Sequence, residues 1–304
     1  MSTIDIVSIG EPLIEFNQTR PGEPAYLQGF GGDSSNMIIA AARSGARAAY
    51  VTRIGDDEFG RLFLRLWKEE GVDARGVAVD PHAPTGAYFV THGPQGHVFS
   101  YLRAGSAASL MRPQDLPLDL FRQARVVHAS GISMAISPSA AEAVLAAFAE
   151  SAGKISFDSN LRLKLWPLEH ARAGIAAAAA MADYFFPSIE DARTLSGLEN
   201  AEAILTWAHG LGAKTVFLKL GAGGVWVSDG TKRERIPGIQ VQAMDATGAG
   251  DCFCGAALAR LAAGDSIWDA ARYANAAAAL ATTGFGAVAP LPRPEAVRRL
   301  LASG

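Results

Sequence analysis

The chain has 304 residues, 49% apolar and 19% charged, with 32 glycines spread along it, which is enough apolar material for a core that needs no disulfide or metal staple. Its formal net charge of -3, with Lys and Arg scattered, leaves no basic footprint and excludes nucleic acid as an expected partner. "MSTIDIVSIGEPLIEF" lacks the basic and apolar regions of a signal peptide, and the longest apolar run, "IAAAAAMA" (175–182), falls far short of the ~20 residues that span a bilayer. A cytoplasmic protein with no membrane partner is expected.

"DIVSIG" (5–10) reads as a short apolar strand, and "SSNMIIAAARSG" (34–45) as a helix capped by Asp or Ser and stopped at Gly45. Strand "AAYVTRIG" follows, then a helix over 57–70, strand 124–130, helix 138–152, strand 154–158, helix 168–181 and strand 183–187. Strands alternating with helices imply a parallel sheet covered on both faces. Short helices over 188–196 and 200–211 precede strand "KTVFLKLG" (214–221) and a hairpin around Asp229-Gly230. Helices over 249–263, 266–282 and 294–302 close the chain, and the Ala-rich 276–281 signals tight helix-on-sheet packing.

Two stretches break the alternation. Residues 12–30 and 86–103, the latter two strands joined by a Gly-Pro-Gln-Gly turn, are expected to form a small antiparallel sheet. It would stand as a lid over the crevice at the carboxyl ends of the parallel strands, within one domain spanning 1–304. Its exposed edge is a natural place for a dimer contact. Cys252 and Cys254 have no second pair to complete a zinc site and read as buried thiols.

"DATGAGD" (245–251) opens a helix with small residues. It is either the start of a buried helix or an anion cradle with a base at its mouth, since unpaired N–H groups and the positive dipole end bind anions. Asp251 in the first turn is favourable electrostatically whatever the function, and the dipole is expected to lower its pKa. "LKLGAGGVWV" (218–227) places a Lys and three glycines at the ligand edge of the sheet, matching neither a Walker A loop nor a dinucleotide fingerprint.

Together with "GGDSSN" (31–36), "RIGDDEFG" (53–60) and "FPSIEDA" (186–192), these loops make the chain resemble the ribokinase-like (PfkB) carbohydrate kinases over nearly its full length. The resemblance implies an α/β three-layer sandwich, its mostly parallel central sheet covered by helices, with a β lid. It implies phosphoryl transfer from ATP with Mg²⁺, Asp251 as catalytic base, and the backbone at Gly248, Ala249 and Gly250 as anion hole. Ser188, Lys219, Gly221, Gly224 and Asn275 fall in its ATP site. Where the family usually has Asn-x-x-Glu for its magnesium network, this chain has Ser188 and Asp191, a carboxylate one methylene shorter. Asp245, with Thr247 and the 284–292 loop, resembles a region that holds a monovalent cation such as K⁺ in several members; an acidic turn is the alternative.

For the acceptor, Tyr101 and Arg103 fall on one side of a lid strand by the period of two, and a phenol beside a guanidinium suits a carboxylate. "YLRAGSAAS" (101–109), "DSNLRLKLW" (158–166) and "GEPLIEF" (10–16) are together most similar to 2-keto-3-deoxygluconate kinases. That similarity places Gly32, Asp33, Tyr88, Tyr101, Arg103 and Arg162 around a keto-deoxy sugar acid phosphorylated at its terminal hydroxyl. A fructokinase-like or ribokinase-like enzyme, and a non-catalytic sugar-acid sensor on the same scaffold, are the alternatives.

Overall fold

The computed structural model describes residues 4–93 and 96–303; Pro94 and Gln95, in the expected lid turn, lie outside the described residues. The strands are β1 (Ile4–Ile9), β2 (Leu13–Gln18), β3 (Tyr26–Gly31), β4 (Ala48–Gly55), β5 (Asp73–Asp80), β6 (Ala87–Gly93), β7 (Gly96–Leu102), β8 (Ala124–Ser130), β9 (Lys154–Asp158), β10 (Tyr184–Phe185), β11 (Thr215–Lys219), β12 (Val225–Ser228) and β13 (Arg233–Ile236). Nine of them form one sheet in the order β13-β12-β11-β10-β9-β8-β1-β4-β5. Its pairs from β11 through to β5 are parallel, and only β12 runs against them, paired antiparallel with both β11 and β13.

The apolar pattern of the helices explains the two covering layers. Helices Asp33–Arg43, Glu58–Glu69, Ala249–Ala263 and Ile267–Ala281 contribute Met37, Trp67, Leu258 and Ala274 to a core on one face. Helices Pro138–Glu150, Leu168–Met181 and Ala201–Gly210 contribute Phe148, Ile175 and Leu205 to the core on the other. Helix Ala249–Ala263 is buried continuously from Cys252 to Ala259, so it carries small apolar residues all round in place of one stripe. Gly255 permits this: a Cβ there would lie 2.3 Å from the Met37 carbonyl oxygen, so only glycine lets this helix press against Asp33–Arg43. Ala276, Ala277 and Ala281 pack in the same core, as the Ala-rich run implied.

The lid is the second sheet, in the order β3-β2-β6-β7. Each of its hairpins, β2-β3 and β6-β7, is antiparallel, while β2 and β6 lie side by side in parallel. Its inner part is anchored on helix Glu58–Glu69 through edge-on contacts of Phe16 with Phe59 and Phe30 with Phe63.

Two local expectations are corrected. Strand β5 was not anticipated because "DARGVAVD" pairs only with β4 at the sheet edge, leaving much of it half-buried or exposed. The first helix has no Asp or Ser cap: it starts at Asp33 with Gly32 as N-cap at φ 94. A Cβ on Gly32 would lie 2.3 Å from the Glu11 carbonyl oxygen, so a capping side chain is excluded. Asp33 and Ser34 are thereby released from capping, and Ser34 turns into the interior, where its Oγ lies 2.8 Å from the buried Tyr50 hydroxyl.

Candidate active site

The sheet reverses its winding beside β1, whose neighbours are β4 and β8, and a crevice opens there at the carboxyl ends of the strands. Helix Ala249–Ala263 begins over it with Gly248 as a left-handed N-cap and no side-chain cap; Ala249 N donates to the Ala246 carbonyl at 3.2 Å, and the turn it opens presents the N–H groups of Gly250 and Asp251. Asp251 in that first turn accepts a hydrogen bond at Oδ2 from Asn36 Nδ2, 2.8 Å away. Its carboxyl titrates at about 7, raised by burial at the crevice floor and by Asp33 and Asp158, with Asn36 and Lys219 pulling the other way. The lowered value expected from the helix dipole is therefore corrected: the dipole is outweighed by surrounding protein and like charge. Such a group is a competent base near neutral pH.

Asp33 is fixed beside it by Asn160, whose Nδ2 donates to Asp33 Oδ2 at 2.8 Å. Asn160 holds φ at 27, the only non-glycine residue with positive φ among those described. Asp33 Oδ1 and Asn36 Oδ1 are buried with no hydrogen-bond partner among the described residues. Two buried acceptors next to a base are suited to receiving hydroxyl donors from a polyol.

Lys219 ends β11 and Asp158 ends β9; their side chains meet across β10, with Nζ 2.5 Å from Asp158 Oδ2. Burial alone would push the lysine down, but Asp158 more than reverses this and holds it above the usual range, so it stays charged. Asp191 does not join that pair. Its Oδ2 accepts from Ser159 Oγ at 2.7 Å and Leu161 N at 3.0 Å, and Ser188 caps its helix by accepting from Asp191 N at 3.0 Å. The shortened carboxylate thus fixes the 158–161 segment under the crevice.

Beyond Lys219 lies a cavity of about 270 Å³ between the Gly221–Gly224 turn and helices Ala249–Ala263 and Ile267–Ala281, lined by Gly221, Gly224, Gly250, Phe253 and Asn275 among others. It brings together the glycine loop and the helix start that sequence reasoning joined. Asn275 holds the wall in place, its Nδ2 donating to the Pro237 carbonyl at 2.7 Å.

On the lid side, the Tyr88 hydroxyl donates to Glu15, and the Tyr88 ring lies 5.7 Å from that of Tyr101. Strand β7 ends at Leu102, so Arg103 lies past the strand that was expected to carry it. It remains by Tyr101, 5.5 Å from the ring centroid, and forms a buried ion pair with Glu11, which also accepts from Ser106 Oγ at 2.7 Å. Arg162 is exposed and donates to the Leu161 carbonyl. Asp245 ties two loops together, accepting from Thr247 N and Oγ1 at Oδ1 and from Gly286 N at Oδ2.

Sequence reasoning missed Asn36, Glu11, Asp158 and Asn160. Each lies within a stretch that carried the resemblance, "GGDSSN", "GEPLIEF" or "DSNLR", without being singled out there. The signal available was a polar side chain at the carboxyl end of a central strand or in the first turn after it.

The comparisons bear on what this site does. The family model described as pfkB family carbohydrate kinase matches residues 3–294. The chain is 37% identical to a 2-dehydro-3-deoxygluconokinase of Thermoproteus tenax, over 98% of this chain and 94% of that one, and 35% identical to a probable fructokinase-4 of Arabidopsis thaliana over 97% and 96%. A putative ribokinase II from E. coli, solved in complex with ATP and Mg²⁺, superposes with a TM-score of 0.92 at 26% identity, covering 99% of this chain and all of that one. A fructokinase from Xylella fastidiosa with bound ATP gives 0.91 at 28% identity, covering 98% of each chain. The fold is ribokinase-like, and the chain belongs to the pfkB family of carbohydrate kinases, a sugar kinase whose acceptor is a hydroxyl group.

Proposed function

We propose that the protein transfers the γ-phosphoryl group of ATP to the terminal hydroxyl of 2-keto-3-deoxygluconate, yielding 2-keto-3-deoxy-6-phosphogluconate and ADP. The observation that carries this reading is the Asp251 carboxylate, held by Asn36 in the first turn of a helix with no side-chain cap, between a glycine-lined cavity and a lid bearing Tyr88, Tyr101 and Arg103. The nucleotide occupies the cavity beside Gly221, Gly224 and Asn275, with its phosphates directed to Lys219 and the helix start and Ser188 below. Asp251 takes the proton of the acceptor hydroxyl as its oxygen bonds to the γ-phosphorus and the bond to the β-phosphate oxygen breaks. The N–H groups at Gly248 and Gly250, joined by that of Ala249 when it leaves the Ala246 carbonyl, receive the charge on the transferring group.

Magnesium fits as a hydrated companion of the phosphates, since no cluster of three or more His, Cys, Asp or Glu side chains forms among the described residues and Asp191 offers one carboxylate. When bound it neutralises phosphate charge. Asp245 joins the loops associated with a monovalent cation, and potassium dependence of turnover tests that assignment. Gly32 and Asp33 border the sugar on the floor, and Arg103 and Arg162 supply positive charge for its carboxylate. Edge strands β3 and β7 of the lid carry exposed Leu27, Val98 and Leu102, where a second copy of the chain would pair; sedimentation reads that state.

One observation favours a second reading, a fructokinase-like enzyme: Glu11 already balances the charge of Arg103. ADP release with Mg-ATP over a panel of sugar acids and neutral sugars separates the two. Turnover with 2-keto-3-deoxygluconate at a kcat/KM well above that for fructose and ribose is expected; preference for fructose would overturn the sugar-acid reading.

A further inference from the structure

The pair formed by Asp158 and Lys219 is unusual for its place. The two side chains are 6% and 14% exposed at the floor of a crevice, and a buried pair of this kind contributes little net stability once desolvation is counted. Asp158 is also more fully served with donors than an ion pair requires. Its Oδ2 receives the Cys254 thiol at 3.3 Å as well as the ammonium, and its Oδ1 receives Asn160 N at 3.2 Å. Cys254 is itself 3.8 Å from the ammonium, and burial keeps its thiol protonated and donating. Three elements, β9, β11 and helix Ala249–Ala263, therefore converge on one carboxylate.

The convergence fixes where the lysine points. An unrestrained side chain leaving the end of β11 could extend over the Gly221–Gly224 turn toward the outer part of the cavity. Here it crosses β10 inward, and its Nζ comes to 3.6 Å from the place a Cβ on Gly250 would occupy. Residue 250 lies in the first helical turn beside Asp251, so the ammonium and the start of the helix share one side of the crevice.

We propose that Asp158 is a positioning residue, held in place by the Cys254 thiol, that parks the Lys219 ammonium against the first turn of helix Ala249–Ala263 so that it meets the phosphoryl group in transfer. This rests on the kinase reading above and adds to it the two residues that aim the lysine. Lys219 donates hydrogen bonds to a non-bridging oxygen as charge builds there; no proton changes hands, and the proton of the acceptor hydroxyl still goes to Asp251.

The test uses the intact enzyme with Mg-ATP and compares Asp158→Asn, Lys219→Met, their double variant, Cys254→Ser and Cys254→Val. Asp158→Asn and Lys219→Met should each lower kcat by about 10²-fold, the scale of losing one donor to a developing oxyanion, with a smaller change in the KM for ATP. The double variant should be no slower than Lys219→Met alone, because Asp158 acts through the lysine. Cys254→Ser, which keeps a donor, should hold kcat near that of the parent, while Cys254→Val should lower it at an unchanged ATP KM.

Multiplying effects in the double variant, a rise in ATP KM with kcat preserved, or equal activity of the Ser and Val variants would each overturn the proposal. If Asp158→Asn does not fold, the two Cys254 variants decide it. If every acceptor in the panel is refused, the kinase-substrate reading fails separately, and the same variants are ranked by single-turnover transfer from ATP to water. An unchanged rate in Lys219→Met there would sink the lysine's role on its own.

Discussion

Asn36 and Asp251 are 215 positions apart in the chain, yet the Asn36 amide donates to the Asp251 carboxylate at 2.8 Å. The bond favours the charged form of a group that burial, Asp33 and Asp158 all push toward protonation. Asn36→Ala should therefore move the acid limb of kcat/KM to higher pH, by up to ~1 unit. A pH profile read from pH 5 to 9 checks this; a limb at its original position would show that the amide does not govern the base.

Asp251→Asn should lower kcat by about 10²-fold or more, the scale of removing a general base. It should also stabilise the protein at alkaline pH. The native carboxyl titrates at about 7 against 3.8 for the ordinary group. Between those values the folded chain holds a proton that the unfolded chain has released, so stability falls as pH rises through that window and stays lower above it. The variant escapes this loss. Thermal melts should show Asp251→Asn above the parent by roughly 2 °C or more at pH 8 and level with it below pH 4.

Glu11 is fully buried beneath Arg103, and removing one partner of such a pair leaves an uncompensated charge. Glu11→Ala should cost about 3–5 kcal/mol by denaturant unfolding, with the double replacement by Leu recovering part of it. Arg103→Gln should raise the KM for a sugar acid far more than that for a neutral sugar. Equal effects on both would assign Arg103 to lid architecture alone.

Gly255→Ala tests whether helix packing sets site geometry. The added methyl meets Met37 O at 2.3 Å and Ala41 N at 2.9 Å, so the two helices must part. A cost of about 1–3 kcal/mol is expected, as for overpacking elsewhere, together with a drop in kcat, because Asn36 and Asp251 ride on those helices. Loss of stability with kcat intact would show that the bond between them tolerates the shift.

The alternation of strands and helices was legible because most parallel strands carry apolar runs and several of their helices carry caps; strand "ARVVHAS" and helix Pro138–Glu150, capped by Ser137, fall where the pattern puts them. Edge strand β5 was not legible, since only two of its eight residues are buried and no apolar run marks it. At the site, the helix start at 248–251 could be read from local spacing, because one short stretch contains all of it. The sharing of Asp158 among Lys219, Cys254 and Asn160 could not, because it depends on which strands lie side by side. The pKa of Asp251 escaped for the same reason: its chief perturbers come from other segments of the chain.

The position of β1 has a consequence for synthesis. Its two neighbours in the sheet are β4, which follows within fifty residues, and β8, which begins at Ala124. Helix Ala249–Ala263, which completes the cover of this region and carries Asp251, starts far later. A chain emerging from the ribosome therefore holds a central sheet whose face is covered only in part, by helices Asp33–Arg43 and Glu58–Glu69, until helix Ala249–Ala263 has been made. Contacts this distant in sequence close slowly and leave nascent hydrophobic surface open to association, so expression yield should depend on chaperone supply and on translation rate late in the message.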